Sequence, residues 1–243
     1  MSQAVTLLSG GLDSVTLAYH LREDWGLDLI ALSFDYGQRH KKELMVAGNI
    51  AYELGAEHHT ITLGTNDGSH PYPKPLATIL AGSALTDESV PVPDGHYAEE
   101  SMKQTIVPNR NAIMLSIAYG VAVARGAKLV AFAAHSGDHA IYPDCRPDFV
   151  AALNGALNLG NAWADPVPEI QGPFLNISKA DIAREAVRLK VPIAETWSCY
   201  KGGDIHCGVC GTCTERREAF ELAGVTDPTP YADLTKHYAE VQS

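Results

Sequence analysis

Positive charge is scarce in this sequence, and long apolar runs are missing. Lysine and arginine together number 18 against 29 aspartate and glutamate residues, which gives a formal net charge of −11. Such a balance disfavours general nucleic-acid binding, because the phosphate backbone attracts basic surfaces. No apolar stretch reaches the roughly 20 residues that a membrane-spanning helix needs. The most apolar stretch, residues 113–124, is interrupted by Ser116 and Gly120.

Cysteines are also few, and the beginning of the sequence has neither a basic segment nor a signal-peptide cleavage site. We therefore expect a cytoplasmic protein with no nucleic-acid or membrane partner. Four of the five cysteines lie within residues 199–213, which favours a metal site over a disulfide framework. With 243 residues, 46% of them hydrophobic, the chain suffices for one elaborated domain or two small ones.

Apolar segments alternate with helix-like segments along most of the chain. Strands are predicted at residues 5–8, 27–34, 58–63 and 129–133, and helices at residues 14–22, 41–54, 111–125, 147–157, 179–190 and 214–223. This alternation indicates an α/β fold, a doubly wound and mostly parallel sheet covered by helices on both faces. Ser178 and Asp181 predict a capping box, and Gly55, Gly126 and Gly224 are predicted helix stops.

Two parts of the chain break the alternation. Residues 64–108 contain six prolines, and only residues 98–104 have a helical pattern, so we predict a lid over an active site. Residues 191–243 contain the cysteine cluster. We predict that they form a zinc-binding C-terminal region packed on a nucleotide-binding domain of residues 1–190.

A glycine turn, Ser9-Gly10-Gly11-Leu12-Asp13-Ser14, follows the first predicted strand. Adjacent glycines let a phosphate approach the backbone, and the first amides of the next helix attract the anion. A carboxylate beside phosphate requires a cation between them, so Mg²⁺ is expected at Asp13. The alternative is an ordinary turn in which Asp13 or Ser14 caps the helix. The turn lacks the lysine of the Walker pattern.

The cysteine cluster has a spacing typical of a metal site. Seven, two and two residues separate Cys199, Cys207, Cys210 and Cys213. Four thiolates form a closed tetrahedral site, for which a structural Zn²⁺ is expected. An iron-sulfur cluster is the alternative occupant, and free or disulfide-linked cysteines are a further one. Cys145 stands apart, as either a small buried residue or a reactive thiol.

The glycine turn resembles the pyrophosphate-binding (PP) loop of the ATP pyrophosphatase superfamily, whose signature is Ser-Gly-Gly-x-Asp-Ser. Four further blocks, the last joined to the cysteine cluster, resemble the QueC family of 7-cyano-7-deazaguanine synthases: residues 33–40, 107–111, 142–147 and 195–200. The resemblance covers almost the whole chain. It departs from many members at residues 137–141, Gly-Asp-His-Ala-Ile, where they have Asp-Tyr-Ser-Gly.

This resemblance implies a homodimeric ligase that uses ATP with Mg²⁺ to convert 7-carboxy-7-deazaguanine and ammonia to the nitrile, through adenylated intermediates and an amide. The implied ATP contacts are Leu8, Ser9, Gly10, Gly11, Leu12, Asp13 and Ser14. Arg110 and Asp13 are the expected catalytic residues, and Lys179 and Lys201 are weaker candidates. The expected substrate contacts are Tyr36, Gln38, Asp138, Asp144 and Arg146. His40 and Glu43 are either catalytic or only part of the start of the second helix.

Two other functions fit parts of the sequence. A tRNA-thiolating enzyme would share the glycine turn, but such an enzyme normally needs a basic surface for the phosphate backbone. A binding module with a zinc knot and a vestigial nucleotide site is the non-enzymatic alternative. The intact signature at residues 9–14 argues against that alternative.

Overall fold

The computed structural model of this chain describes residues 2–39, 41–64, 76–80, 82–97 and 100–235. Within them, one parallel sheet has the strand order β3-β2-β1-β4-β5. The strands are β1 (Gln3–Leu7), β2 (Asp28–Asp35), β3 (Glu57–Thr62), β4 (Leu129–Ala131) and β5 (Glu169–Gln171). The doubly wound α/β fold predicted from the sequence is therefore confirmed.

Helices cover both faces of this sheet. They are α1 (Leu12–Glu23), α2 (Lys42–Glu53), α3 (Leu76–Ile79), α4 (Arg110–Arg125), α5 (Pro147–Gly160), α6 (Lys179–Arg188) and α7 (Gly211–Ala223). The chain winds outward from β1 in one direction through β2 and β3, and in the other through β4 and β5. The loops after β1 and β4 diverge where the winding reverses, and in open α/β sheets such a point is where ligands bind.

Alternate residues of the central strands face two separate apolar clusters. Ala4, Leu29 and Ala131 pack with α1, α2, α6 and α7 on one face. Val5 and Ile30 pack with α4 and α5 on the other. Because both faces are covered, β1 and β2 are almost continuously buried, as expected for parallel strands.

The two outer strands differ from the sequence expectation. β3 lies at the sheet edge, and Glu57, His59, Thr60 and Thr62 are exposed there. β5 was not predicted, because it has three residues and two of them, Glu169 and Gln171, are polar. Pairing with β4, rather than an apolar pattern of its own, makes this segment a strand.

The described part of the predicted lid packs on the domain. Arg39 donates hydrogen bonds from its guanidinium to the carbonyl oxygens of Ala84 and Val90, each at 3.1 Å. Met102 and Thr105, within a 3₁₀ turn at Glu100–Thr105, are buried. Residues 98 and 99, part of the predicted helical turn, lie outside the described residues. That this segment opens as a lid stays a prediction.

The C-terminal region shares the core of the sheet domain. Helix α7 packs on α6, and Cys199, Cys210, Cys213 and Phe220 belong to the same apolar cluster as α1 and α2. No helix among the described residues is long and apolar enough to cross a membrane.

Candidate active site

The glycine turn joins the end of β1 to α1 and is held by its own serines. The hydroxyl oxygens of Ser9 and Ser14 lie 2.9 Å apart, and the Ser9 amide donates to the Ser14 hydroxyl at 3.1 Å. No side chain caps α1 at Gly11, so the alternative of an ordinary capped turn finds no support. Amides in the first turn of α1 therefore remain available to an anion.

Gly10 is clamped between two other parts of the chain. Its φ is +84°, and a Cβ there would lie 2.3 Å from the carbonyl oxygen of Glu43 in α2. From the opposite direction, the Trp197 amide donates to the Gly10 carbonyl oxygen at 2.9 Å. Only glycine fits both the backbone conformation and the close approach of α2.

A cleft of about 270 Å³ opens beside this turn, at the carboxyl ends of the central strands. Fourteen of the residues singled out from the sequence line it: Leu8, Ser9, Gly11, Leu12, Asp13, Ser14, Tyr36, Gln38, Glu43, Arg110, Asp138, Cys145, Lys179 and Cys199. Sequence-distant blocks thus converge on one cavity. This cleft is the place where a nucleotide and a second substrate could meet.

Two predicted substrate contacts do not reach the cleft. Asp144 accepts a hydrogen bond from the Asn111 amide at 3.2 Å, at the start of α4. Arg146 is exposed at the start of α5, and its Nε donates to the His139 carbonyl oxygen at 2.9 Å. Asp144 lies in the 3₁₀ turn at Pro143–Cys145 and Arg146 directly follows it. Their role in this structure is to hold loop and helix ends together.

A partly buried charge cluster links the glycine turn to two later helices. Ser178 and Asp181 form the predicted capping box, which starts α6 at Lys179. The Lys179 ammonium bonds to Asp13 Oδ2 and lies 3.5 Å from Glu215 Oε2 in α7. Burial alone would lower the pKa of Lys179, but Asp13, Glu215 and Asp138 raise it instead. Lys179 therefore stays charged beside the glycine turn.

Asp13 has one oxygen left over for a cation. Its Oδ2 pairs with Lys179, whereas its Oδ1 is buried without a hydrogen-bond partner among the described residues. A buried, unpartnered carboxylate oxygen beside an anion-binding turn is a suitable Mg²⁺ ligand. The structure thus fits the expected metal position.

Arg110 is the first residue of α4, and three tyrosines lie near its guanidinium. Burial opposes its charge, but the nearby Tyr36, Tyr142 and Tyr200, with a hydrogen bond to Tyr36, raise the pKa of Arg110 well above its usual value. The guanidinium is therefore a fixed positive charge at the cleft that the glycine turn also lines. Burial also raises the pKa of Tyr36, so this phenol stays protonated.

Both carboxylate oxygens of Asp138 accept hydrogen bonds from the protein. Tyr97 donates to its Oδ1 and the His135 amide to its Oδ2, both at 3.0 Å. His135, which precedes the divergent loop of residues 137–141, lies 3.6 Å from Glu215. Cys145 lines the cleft but is buried, and burial raises the pKa of its thiol. It remains a thiol rather than a reactive thiolate.

The four clustered cysteines converge as a metal site requires. Their sulfur atoms all lie within 4.8 Å of one another, and none is in a disulfide. The sulfurs of Cys207 and Cys213 are 3.8 Å apart, which is the edge of a tetrahedron with arms of about 2.3 Å. Amides of Cys207 and Cys210 point at sulfur atoms. The group can therefore hold a metal ion.

Two further residues brace this group without belonging to it. His206 Nε2 accepts a hydrogen bond from the Ser198 amide at 3.0 Å, and burial lowers the pKa of His206 to about 4. Arg216, fully buried, donates to the Thr196 hydroxyl at 2.8 Å and pairs with Asp227. Both interactions fix residues 196–198, which lie against Gly10.

The structure adds cleft residues that sequence reasoning missed. Tyr97, Tyr142, Tyr200 and Glu215 all line the cleft. Tyr142 and Tyr200 stand inside the blocks that resemble the QueC family, so that signal was present. Glu215 had no signal of its own. Lys201 instead pairs with Asp94 away from the cleft, and His40 lies outside the described residues.

Comparison with known proteins identifies the family. A family model described as "Queuosine biosynthesis protein QueC" matches residues 3–224. The 7-cyano-7-deazaguanine synthase of Agrobacterium fabrum is 54% identical over 95% of this chain and 92% of its own length. The 7-cyano-7-deazaguanine synthase 1 of Mesorhizobium japonicum is 52% identical over 99% of both chains. A solved structure of NMN synthetase from Francisella tularensis aligns with a TM-score of 0.48 at 16% identity, over 92% of this chain and 77% of that one. The chain belongs to the QueC family of queuosine biosynthesis proteins and, as its relatives are named synthases, is an enzyme.

Proposed function

We propose that this protein is a 7-cyano-7-deazaguanine synthase that converts 7-carboxy-7-deazaguanine and ammonia to the nitrile at the expense of ATP. The observation that carries the proposal is the cleft itself. It combines an uncapped glycine turn, an Asp13 oxygen without a partner among the described residues, and the partly buried cations Lys179 and Arg110. Its curated relatives bear the name of this activity.

Adenylation explains why such a site suits this reaction. A carboxylate is a poor electrophile because its leaving group would be oxide, whereas AMP leaves readily from an acyl adenylate. Ammonia then gives the amide, and a second adenylation, on the amide oxygen, allows that oxygen to leave. The protein must mainly align the α-phosphate with the substrate oxygen and stabilise the charge that develops.

The residues take their proposed roles from position. Residues 8–14 bind the phosphates and Asp13 contributes a ligand to Mg²⁺, while Lys179 and Arg110 face the negative charge from two sides. Tyr36, Gln38 and Asp138 line the part of the cleft left for the deazaguanine. That Asp144 and Arg146 contact the substrate stays a prediction; without ligand their side chains bond to the Asn111 amide and the His139 carbonyl oxygen.

Zn²⁺ is the proposed occupant of Cys199, Cys207, Cys210 and Cys213, in a structural role. A four-sulfur site leaves no open position for chemistry. Bound metal would stabilise a glycine-rich segment with little apolar content of its own. An iron-sulfur cluster would require the same ligands, and metal analysis of purified protein distinguishes the two.

We also propose that the protein is a cytoplasmic homodimer with the domain division given by the sequence, residues 1–190 and 191–243. Unpaired thiols at a metal site suit a reducing compartment. Exposed apolar side chains near the end of α5, Leu159 and Trp163 among them, would be covered in a dimer.

The test is incubation of the protein with ATP, Mg²⁺, ammonia and 7-carboxy-7-deazaguanine. We expect AMP, pyrophosphate and the nitrile, detected by mass spectrometry, and no AMP when the base is omitted. Formation of a sulfur-modified tRNA in place of the nitrile would assign the thiolating function instead. ATP binding without turnover of any substrate would favour the binding module.

A further inference from the structure

The proposed reaction requires a proton acceptor, and the proposed function does not yet supply one. The nitrogen atom enters as ammonia with three hydrogens and ends in a nitrile with none. One proton leaves when the amide forms, and two leave when the adenylated amide collapses. A positioned base typically accelerates such steps by roughly 10²–10⁴-fold.

The cleft offers few groups for this task. Among the described residues that line it there is no histidine, and four residues carry a carboxylate: Asp13, Glu43, Asp138 and Glu215. Asp13 and Glu215 face Lys179, and Asp138 accepts hydrogen bonds on both oxygens. Each of these three is thus occupied in holding the site together.

Glu43 has a different environment. From the part of the chain that the structure describes, the carboxylate receives one hydrogen bond, from Gln38 Nε2 to Oε1 at 3.2 Å. Gln38 is fixed in turn, because its own Oε1 accepts from the Tyr36 amide at 3.0 Å and its Nε2 also donates to the Phe34 carbonyl oxygen at 2.9 Å. The second carboxylate oxygen, Oε2, is therefore left for a proton.

Glu43 also lies in the right place. Its carbonyl oxygen lies 2.3 Å from where a Cβ of residue 10 would be, so its backbone packs against the glycine turn. Its carboxylate is close enough to Arg110 and Tyr36 to interact with both electrostatically. Glu43 therefore lies near both the glycine turn and the tyrosines that surround Arg110. Burial raises the pKa of Glu43 to about 7, although Gln38 and Arg110 oppose the shift. A carboxylate in that range can both accept and release a proton at neutral pH.

We infer that Glu43 is the general base of the nitrogen steps, a conclusion that rests on the proposed function. In the first step the nitrogen lone pair forms the C–N bond, the C–O bond to AMP breaks, AMP leaves with the electron pair, and one N–H proton passes to the Glu43 carboxylate. In the second, the C–O bond of the adenylated amide breaks, AMP leaves with the electron pair and the former amide oxygen, the C≡N bond forms, and the two N–H protons pass in turn to Glu43. Between transfers Glu43 releases each proton to water.

The test compares Glu43→Gln with wild type and with Glu53→Gln, a control at the exposed end of the same helix. Glutamine keeps the hydrogen bond from Gln38 but cannot accept the proton. Substrate-dependent exchange of labelled pyrophosphate into ATP measures adenylation alone. Hydroxylamine, which is largely unprotonated at neutral pH and strongly nucleophilic, traps the acyl adenylate as a hydroxamate with little need of a base.

We expect Glu43→Gln to retain pyrophosphate exchange and hydroxamate formation within about threefold of wild type while amide and nitrile formation from ammonia fall by roughly 100-fold or more. Glu53→Gln should match wild type in all four assays. Amide formation by Glu43→Gln within threefold of wild type overturns the inference. Loss of exchange with the melting temperature unchanged also overturns it, because Glu43 would then act in adenylation. Absence of exchange in wild type refutes the proposed function itself.

Discussion

Replacement of Gly10 by alanine tests the close approach of α2 to the glycine turn. The new Cβ would meet the Glu43 carbonyl oxygen at 2.3 Å, well inside ordinary contacts, which begin near 3.4 Å. A side chain in the left-handed region costs about 1–2 kcal/mol, and forced repacking adds about 1–3 kcal/mol. We therefore expect a loss of about 2–5 kcal/mol in the free energy of unfolding, measured by urea titration.

Gly26→Ala provides the matched control. Gly26 also has a positive φ, +63°, but no atom lies within 4 Å of a Cβ there. Its substitution should cost only the conformational term, about 1–2 kcal/mol. The excess at Gly10, about 1–3 kcal/mol, corresponds to a melting temperature roughly 2–12 °C below that of the control.

The two variants should also differ in ligand binding. The Gly10 change displaces the turn whose amides face the cleft, so pyrophosphate exchange should be lost, whereas Gly26→Ala should retain it. Equal destabilisation of the two variants, together with full exchange in both, would refute the claim that α2 constrains this turn.

Three further changes probe the buried charges and the metal group. Lys179→Met leaves Asp13 and Glu215 without their cation and should lower the free energy of unfolding in urea by about 3–5 kcal/mol. The control Lys128→Met, at an exposed position, should lower it little. Equal losses in the two variants would contradict the role of the charge cluster in stability. Arg216→Met should lower stability by a similar amount, partly recovered by adding Asp227→Asn; no recovery would mean that their pairing is not the source of the loss. Metal removal by a chelator should unfold the C-terminal region, so an unchanged circular-dichroism melting curve after verified metal loss would contradict a structural role.

Local signals predicted much of the fold. The capping box of Ser178 and Asp181 forms as expected, with Ser178 Oγ accepting from the Asp181 amide at 3.1 Å. Gly55, Gly126 and Gly224 all take the left-handed conformation at helix ends. These features depend on a few neighbouring residues, so a single sequence suffices to recognise them.

Features created by long-range contacts were missed or misplaced. β5 exists because β4 offers it hydrogen bonds, and α7 begins at Gly211 rather than at residue 214 because the cysteine segment runs directly into the helix. Substrate binding by Asp144 and Arg146 stays a prediction, whereas their partners Asn111 and His139 could be known only from the folded chain.

The candidate site shows the same division. The glycine turn was recognisable because its chemistry lies in six consecutive residues. In the cluster of Asp13, Lys179 and Glu215, Asp13 lies 166 residues before Lys179, and no periodicity links the three positions. Glu43 was left undecided from the sequence, because the features that set it apart, burial and a single hydrogen bond from a side-chain amide, belong to the tertiary structure.

Residues 197–199 connect the four-cysteine group to the glycine turn. The Trp197 amide donates to the Gly10 carbonyl oxygen, and Cys199 is one of the four cysteines. If metal in the four-cysteine group raised the affinity for ATP, ATP would have to raise the affinity of that group for the metal by the same factor. Metal titrations with and without ATP would measure this coupling.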